Sequence, residues 1–135
     1  MSEDAMWGTM RDKLNKLGAH YQRFEDKLAE GIPDVNVKLP GVEVERWVEL
    51  KHISGWPKRE NTLVTPGDLR PAQVVWLTVG QRVGRDVRIV LRVGLERWLV
   101  FTGEFQRLAN GVTKAEMLEM AAVDMKVLDV LEALR

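Results

Sequence analysis

Residues 31–52, GIPDVNVKLPGVEVERWVELKH, decide the fold. Apolar residues recur at every second position through Val35, Val37 and Leu39, stop at Pro40-Gly41, and return at Val44, Val48 and Leu50. A period of two is that of a strand with one buried face, and Pro-Gly marks a turn. The segment is read as a β-hairpin. With Pro40 to Glu43 as the turn, Leu39 faces Val44 and the numbers of paired residues sum to 83. That register sets Asp34 opposite Glu49. One face then carries Val35, Val37, Leu39, Val44, Val48 and Leu50. The other carries Asp34, Asn36, Lys38, Glu45, Trp47, Glu49 and Lys51.

Residues opposed across a strand pair hold their Cβ atoms about 4.5–5.5 Å apart. Two carboxylates so placed repel unless a cation lies between them, and a hard divalent ion such as Mg²⁺ binds a few carboxylate oxygens and keeps its waters. Lys51 shares the face of Glu49 and can reach a phosphate or an attacking water. The arrangement suits phosphodiester cleavage. Taken alone, the pattern also suits a solvated sheet face whose charges pair weakly.

Outward from the hairpin, Met6, Met10, Leu14 and Leu17 mark a helix from about Ala5 to Leu17, stopped by Gly18. His20 to Glu25 suits a short strand. After Lys51 the pattern breaks: His52 to Leu69 reads as a long polar loop with Gly55, Pro57, Pro66 and Gly67. Pro71 opens a helix with apolar Val74, Val75, Leu77 and Val79. DVRIVLRV and ERWLVFT are two strands turning at Gly94, and everything from Glu104 reads as helical. The order α-β-β-β-α-β-β-α predicts an α/β domain with a mixed central sheet flanked by helices. No repeat or linker divides the chain, so residues 1–135 are expected to form a single domain, with its core at about 20–101 and a helical segment at 104–135.

Composition narrows the chemistry. The 135 residues are 45% hydrophobic and 30% charged, with no cysteine, which removes disulfides, thiolate ligands and cysteine nucleophiles. No Ser-His-Asp pattern, phosphate-binding glycine loop or dinucleotide fingerprint is present. The charged opening MSEDAMWGTMRDKL lacks the apolar run of a signal peptide. No stretch approaches the ~20 apolar residues of a membrane span. No membrane association and a cytoplasmic location are the expectation. The net charge is zero, but from Lys51 to Arg97 nine basic residues face four acids. Lys58, Arg59 and Arg70 in and beside the loop are candidates for phosphate contacts, and Trp56 for a contact near DNA. Trp76 and Trp98 are expected in the core, and alternation turns His52 away from the face of Lys51.

Pro33-Asp34, fourteen intervening residues, then Glu49-Leu50-Lys51 resembles the PD-(D/E)XK motif of the restriction-endonuclease-like nucleases. More narrowly, GIPDV, WVELK and LRPAQVVWL resemble the VRR-NUC branch, which is related to Holliday-junction resolvases. The resemblance spans about Arg23 to Val100. It implies a restriction-endonuclease-like core and a DNA endonuclease using Mg²⁺, with Mn²⁺ able to substitute. It implies Asp34, Glu49 and the backbone carbonyl of Leu50 as metal ligands, Lys51 as the residue that orients water and steadies the phosphate, and Gln73 beside that lysine. Glu25 is the favoured upstream acid for a further metal contact, with Glu30 and Glu3 as alternatives. A chain of this size is expected to cut by DNA structure, including branched DNA, or without sequence preference. Symmetric cutting of a junction would call for a homodimer, for which Met117, Met120, Val127, Val130 and Leu131 offer apolar surface unless they cap the sheet. Two other readings remain open: a nucleic-acid-binding module that keeps the fold without cutting, and an accessory protein acting through protein contacts.

Overall fold

A computed structural model describes residues 3–25 and 29–135. Along the chain run α1 (Glu3–Leu17), β1 (His20–Arg23), β2 (Val35–Lys38), β3 (Arg46–Ile53), α2 (Pro71–Arg82), β4 (Asp86–Val93), β5 (Arg97–Phe101), α3 (Phe105–Asn110), α4 (Lys114–Met120), β6 (Val123–Met125) and α5 (Val130–Leu134). The strands form one sheet in the order β1-β2-β3-β4-β5-β6. Only the β3–β4 pair is parallel, joined through α2 as a parallel pair requires, and every other neighbour is antiparallel.

Alternation along the strands divides the core between the two faces. Val35, Val37, Val48, Leu50, Val90 and Val100 pack beneath α1 and α5. Ile89, Leu91, Val93, Leu99 and Phe101 pack beneath α2, α3 and α4. On α1, Met6, Met10 and Leu14 are wholly buried, each contributing about 1.5–3 kcal/mol by leaving water.

The hairpin register is the one the alternation implies: Val35 pairs with Val48, Asn36 with Trp47 and Val37 with Arg46. Its turn is wider than expected. The Val42 N–H closes back on the Leu39 carbonyl, β3 begins only at Arg46, and Val44 lies 52% exposed rather than in the core. Arg46 takes the buried place instead, donating to the carbonyls of Leu134 and Val44 and pairing with Asp86.

Two further expectations are corrected, and for the tail the structure takes the second of the two alternatives. The segment after Glu104 is not wholly helical, because Val123–Met125 adds a sixth strand to β5 through pairs such as Val100 with Val123. On α2 only Val74 and Leu77 face the core; Val75 and Val79 lie on the opposite side of the turn, exposed. In the tail, Met117 and Val130 are buried in the chain's own cores, so these residues do not offer a continuous apolar surface to a second copy. No described helix is long and apolar enough to cross a membrane.

Candidate active site at the end of the hairpin

Pro33 has no N–H to give and the chain leaves the sheet there, so β2 starts two residues later, at Val35. The Leu50 N–H of β3 consequently lacks a ladder partner, and the carboxylate of Asp34 accepts it at 2.8 Å. Asp34 is thereby held beside Glu49 at the position the register gives it. The turn before it depends on Gly31. Its φ is +83°, and a Cβ there would lie 2.2 Å from the Ala72 carbonyl oxygen. The bare glycine lets the GIPD turn lie directly on the first turn of α2.

That helix brings in Gln73. Its side-chain oxygen accepts from the Arg70 N–H at 2.9 Å, which helps close the helix start, and from Lys51 Nζ at 3.0 Å. Its amide nitrogen donates to Glu49 Oε1 at 3.1 Å. Lys51 Nζ also donates to the Asp68 carbonyl and stands 3.8 Å from Glu49 Oε1. Glu49 is 1% exposed and Gln73 3%. An amide that turns its oxygen to a cation and its nitrogen to an anion is fixed in orientation by both charges.

These groups line a cleft of about 540 Å³, together with Glu3, Asp4, Arg23, Glu25, Asp68 and Arg70. Six carboxylates (Glu3, Asp4, Glu25, Asp34, Glu49 and Asp68) thus face three cations (Arg23, Lys51 and Arg70). Burial raises the Glu3 carboxyl above its usual range, and the negative charge of Asp34 and a hydrogen bond with the Asp34 side chain push it the same way; Arg23 and Lys51 pull against them. A cation entering between Glu3 and Asp34 would relieve the same repulsion. Among the described residues no group of three or more His, Cys, Asp or Glu stands close enough to hold a metal by itself. The all-oxygen donor set fits a hard ion that keeps several waters, and it does not fit zinc or copper.

The structure brings Asp34, Glu49, Lys51 and Gln73 together in this cleft, with Arg70 at its edge. Of the three upstream acids, Glu3 touches Asp34, Glu25 lies at the rim with its side chain 73% exposed and 3.6 Å from Arg23, and Glu30 is exposed outside the cleft. Trp56, Lys58 and Arg59 do not line it. Trp98 is buried as expected, and Trp76 is half-buried against Trp47. Sequence reading passed over Arg23, whose side chain is 15% exposed and also reaches Asp4 at 3.4 Å. Alternation in HYQR gave no hint of it, because its surroundings come from α1.

No protein-family model and no curated protein matches the chain. Solved structures that are similar to it include the following two. One is Hjc, a Holliday junction resolvase of Archaeoglobus fulgidus, at 16% identity and a TM-score of 0.46, covering 82% of this chain and 97% of that one. The other is described as a VRR_NUC domain, at 22% identity and a TM-score of 0.45, covering 80% of this chain and 90% of that one.

Proposed function

We propose that the chain is a metal-dependent nuclease that hydrolyses phosphodiester bonds in DNA, working in the cytoplasm. The observation that carries the reading is the Gln73 amide strung between Lys51 and Glu49, with Asp34 beside it in an acid-rich cleft. Such a cleft repels a phosphate backbone until a divalent ion enters. In this reading Asp34 and Glu49 would hold Mg²⁺ or Mn²⁺ with waters filling the rest of the shell, and Glu3 or Glu25 would have to move in to add a third carboxylate. The Leu50 carbonyl shares a strand edge with the Leu50 N–H that meets Asp34, so it would be available as a further oxygen ligand. The bound ion supplies Lewis acidity and a more acidic water.

The remaining work belongs to the chain's own residues. Lys51, held by Gln73 and the Asp68 carbonyl, aims its ammonium into the cleft, where it steadies charge on the scissile phosphate and orients the attacking water. Gln73 keeps Lys51 from collapsing fully onto Glu49. Arg70 and Arg23 bind neighbouring phosphate oxygens. Cutting both strands of a branched substrate symmetrically would take a second copy of the site, and hence a homodimer.

The test is incubation with plasmid, linear duplex and a four-way junction, with and without Mg²⁺ or Mn²⁺. Metal-dependent strand cleavage lost in Glu49→Gln supports the reading. Tight DNA binding without any cleavage would instead make the chain a binding module.

A further inference from the structure

Away from the cleft, three cations from distant parts of the chain meet around one depression. Lys58 and Arg59 come from the loop after β3, and Lys114 is the first residue of α4. They line a cavity of about 490 Å³ whose one acid is Glu60. The Lys114 ammonium lies over the Trp56 ring, 5.3 Å from its centre. Among the described residues none of the three forms an ion pair, whereas nearby Arg107 is taken by both Glu104 and Glu116.

This meeting is built. Val64 in the loop and Val112 before α4 form a bridge with both N–H···O bonds made, at 2.6 and 2.9 Å. Thr113 then caps α4 by accepting the Glu116 N–H, which sets Lys114 at the first helical position. Gly111, at φ +97°, lets Leu63 pack against that connection. The loop is thus fastened to the base of α4, with Trp56 and Leu118 packed against the core beneath it. Three cations around a single acid leave the depression net positive, and a pre-set cluster of this kind suits an anion with several charges.

The loop's other end leads into the cleft: Asp68 meets Lys51, and Arg70 lines the wall. Trp56 and Leu118 belong to the α2–α3–α4 side of the sheet, the side to which Glu49 and Lys51 also turn. We propose that Lys58, Arg59 and Lys114 form a second nucleic-acid contact, binding backbone phosphates of the DNA that flanks the site of cleavage. The proposal rests on the nuclease reading for the identity of the polyanion. It makes the substrate a stretch of duplex, or an arm of a junction, long enough to cover both places. A mononucleotide or dinucleotide would engage the cleft alone.

The experiment measures the salt dependence of DNA binding in an Asp34→Asn background with Mg²⁺, for the chain with and without Lys58→Gln, Arg59→Gln and Lys114→Gln together. Each lost phosphate contact lowers the slope of log affinity against log salt by about one, so a fall of about three is expected. The same three changes in the otherwise wild-type chain should raise KM for duplex and leave kcat in place. The Lys58→Gln, Arg59→Gln pair, which leaves α4 and the Trp56 contact intact, should give a fall of about two, and it decides the matter if the triple variant does not fold. An unchanged slope in a chain that cleaves DNA overturns the second contact and leaves the nuclease reading standing. A reduced slope without cleavage by the wild-type chain upholds the contact and sinks the nuclease reading. No DNA binding by any variant overturns both and points the patch toward an acidic protein.

Discussion

Gln73 Nε2 donates to Glu49 Oε1 at 3.1 Å across 24 positions of sequence, and this bond ties the helix after the loop to the central strand. The same side chain accepts from Lys51. Glu49 and Lys51 are thus held 3.8 Å apart, within ion-pair distance but short of direct hydrogen bonding. Gln73→Ala removes the spacer. A hydrogen bond to a charged group contributes about 1.5–3 kcal/mol, so cleavage should fall by roughly ten- to a hundredfold. Metal affinity should stay near wild type. Parallel rate and calorimetric titrations check this, and an undiminished rate would remove Gln73 from the mechanism.

For Asp34 the side-chain acceptor and the charge separate cleanly. Asp34→Ala leaves the Leu50 N–H without its acceptor at a site 7% exposed, which should cost about 1–3 kcal/mol of stability as well as all cleavage. Asp34→Asn keeps an acceptor and removes the charge that faces Glu3. It should abolish cleavage while the metal-free melting temperature holds or rises. A drop in Asn as large as in Ala would mean that the carboxylate charge itself stabilises the turn.

Lys51→Met tests division of labour within the cleft. The lysine supplies no ligand oxygen, and in the proposed reading its charge opposes the ion's. Turnover should therefore collapse while divalent-metal affinity is maintained or improves. A matched loss of both would reduce Lys51 to electrostatic support. Without metal the variant should be less stable, since Glu49 is left in a buried place with its cation gone.

Much of this site is legible in GIPDVNVKL and VERWVELK, because a strand pair converts sequence separation into spatial opposition by arithmetic alone. The pairing of Val35 with Val48 and the apposition of Asp34 and Glu49 follow from period and turn. The Val44 misreading has a local cause: alternation cannot tell where a turn ends, and the polar Arg46 took a buried place by donating to the Leu134 carbonyl at the far end of the chain and to that of Val44 beside it. β6 escaped notice because VDM is three residues long with a charge in its middle, and only the open edge of β5 makes it a strand. In the sequence Glu3 stands only as an alternative to Glu25, and nothing singles out Lys114 at all. Their positions depend on how α1 docks and on a bridge between Val64 and Val112, neither of which has a short-range signature.

Glu3 gives the metal-free protein a pH dependence whose sign follows from its environment. Its carboxyl is raised above the ordinary value of 4.5, chiefly by burial and next by Asp34. The folded state thus binds this proton more tightly than the unfolded chain does. The resulting stability is fully present below about 4.5 and is lost as pH rises through the higher folded value. Around and just above that window, Glu3→Gln should flatten the dependence of melting temperature on pH. Mg²⁺ binding should expel the proton, seen as a buffer-dependent heat that the variant lacks. Identical profiles for the two proteins would show that Glu3 does not set this pH dependence.

Gly31 offers a test of whether the hairpin turn and α2 act as one unit. Its φ of +83° strains any side chain by roughly 1–2 kcal/mol. A Cβ 2.2 Å from the Ala72 oxygen and 3.1 Å from the Gln73 nitrogen must in addition push the turn and the helix apart. Both contacts are backbone, so no side chain can rotate away to relieve them. Gly31→Ala should lower stability by more than the strain alone and separate Asp34 from Gln73. Lys51 would then lose its spacer even though every residue of the cleft remains. Cleavage should fall at least as far as in Gln73→Ala, and adding Gln73→Ala to Gly31→Ala should cost little more, because the first change has already broken the bond that the second removes. Additive losses would show that Gly31 serves only the turn, with Gln73 positioned by α2 on its own.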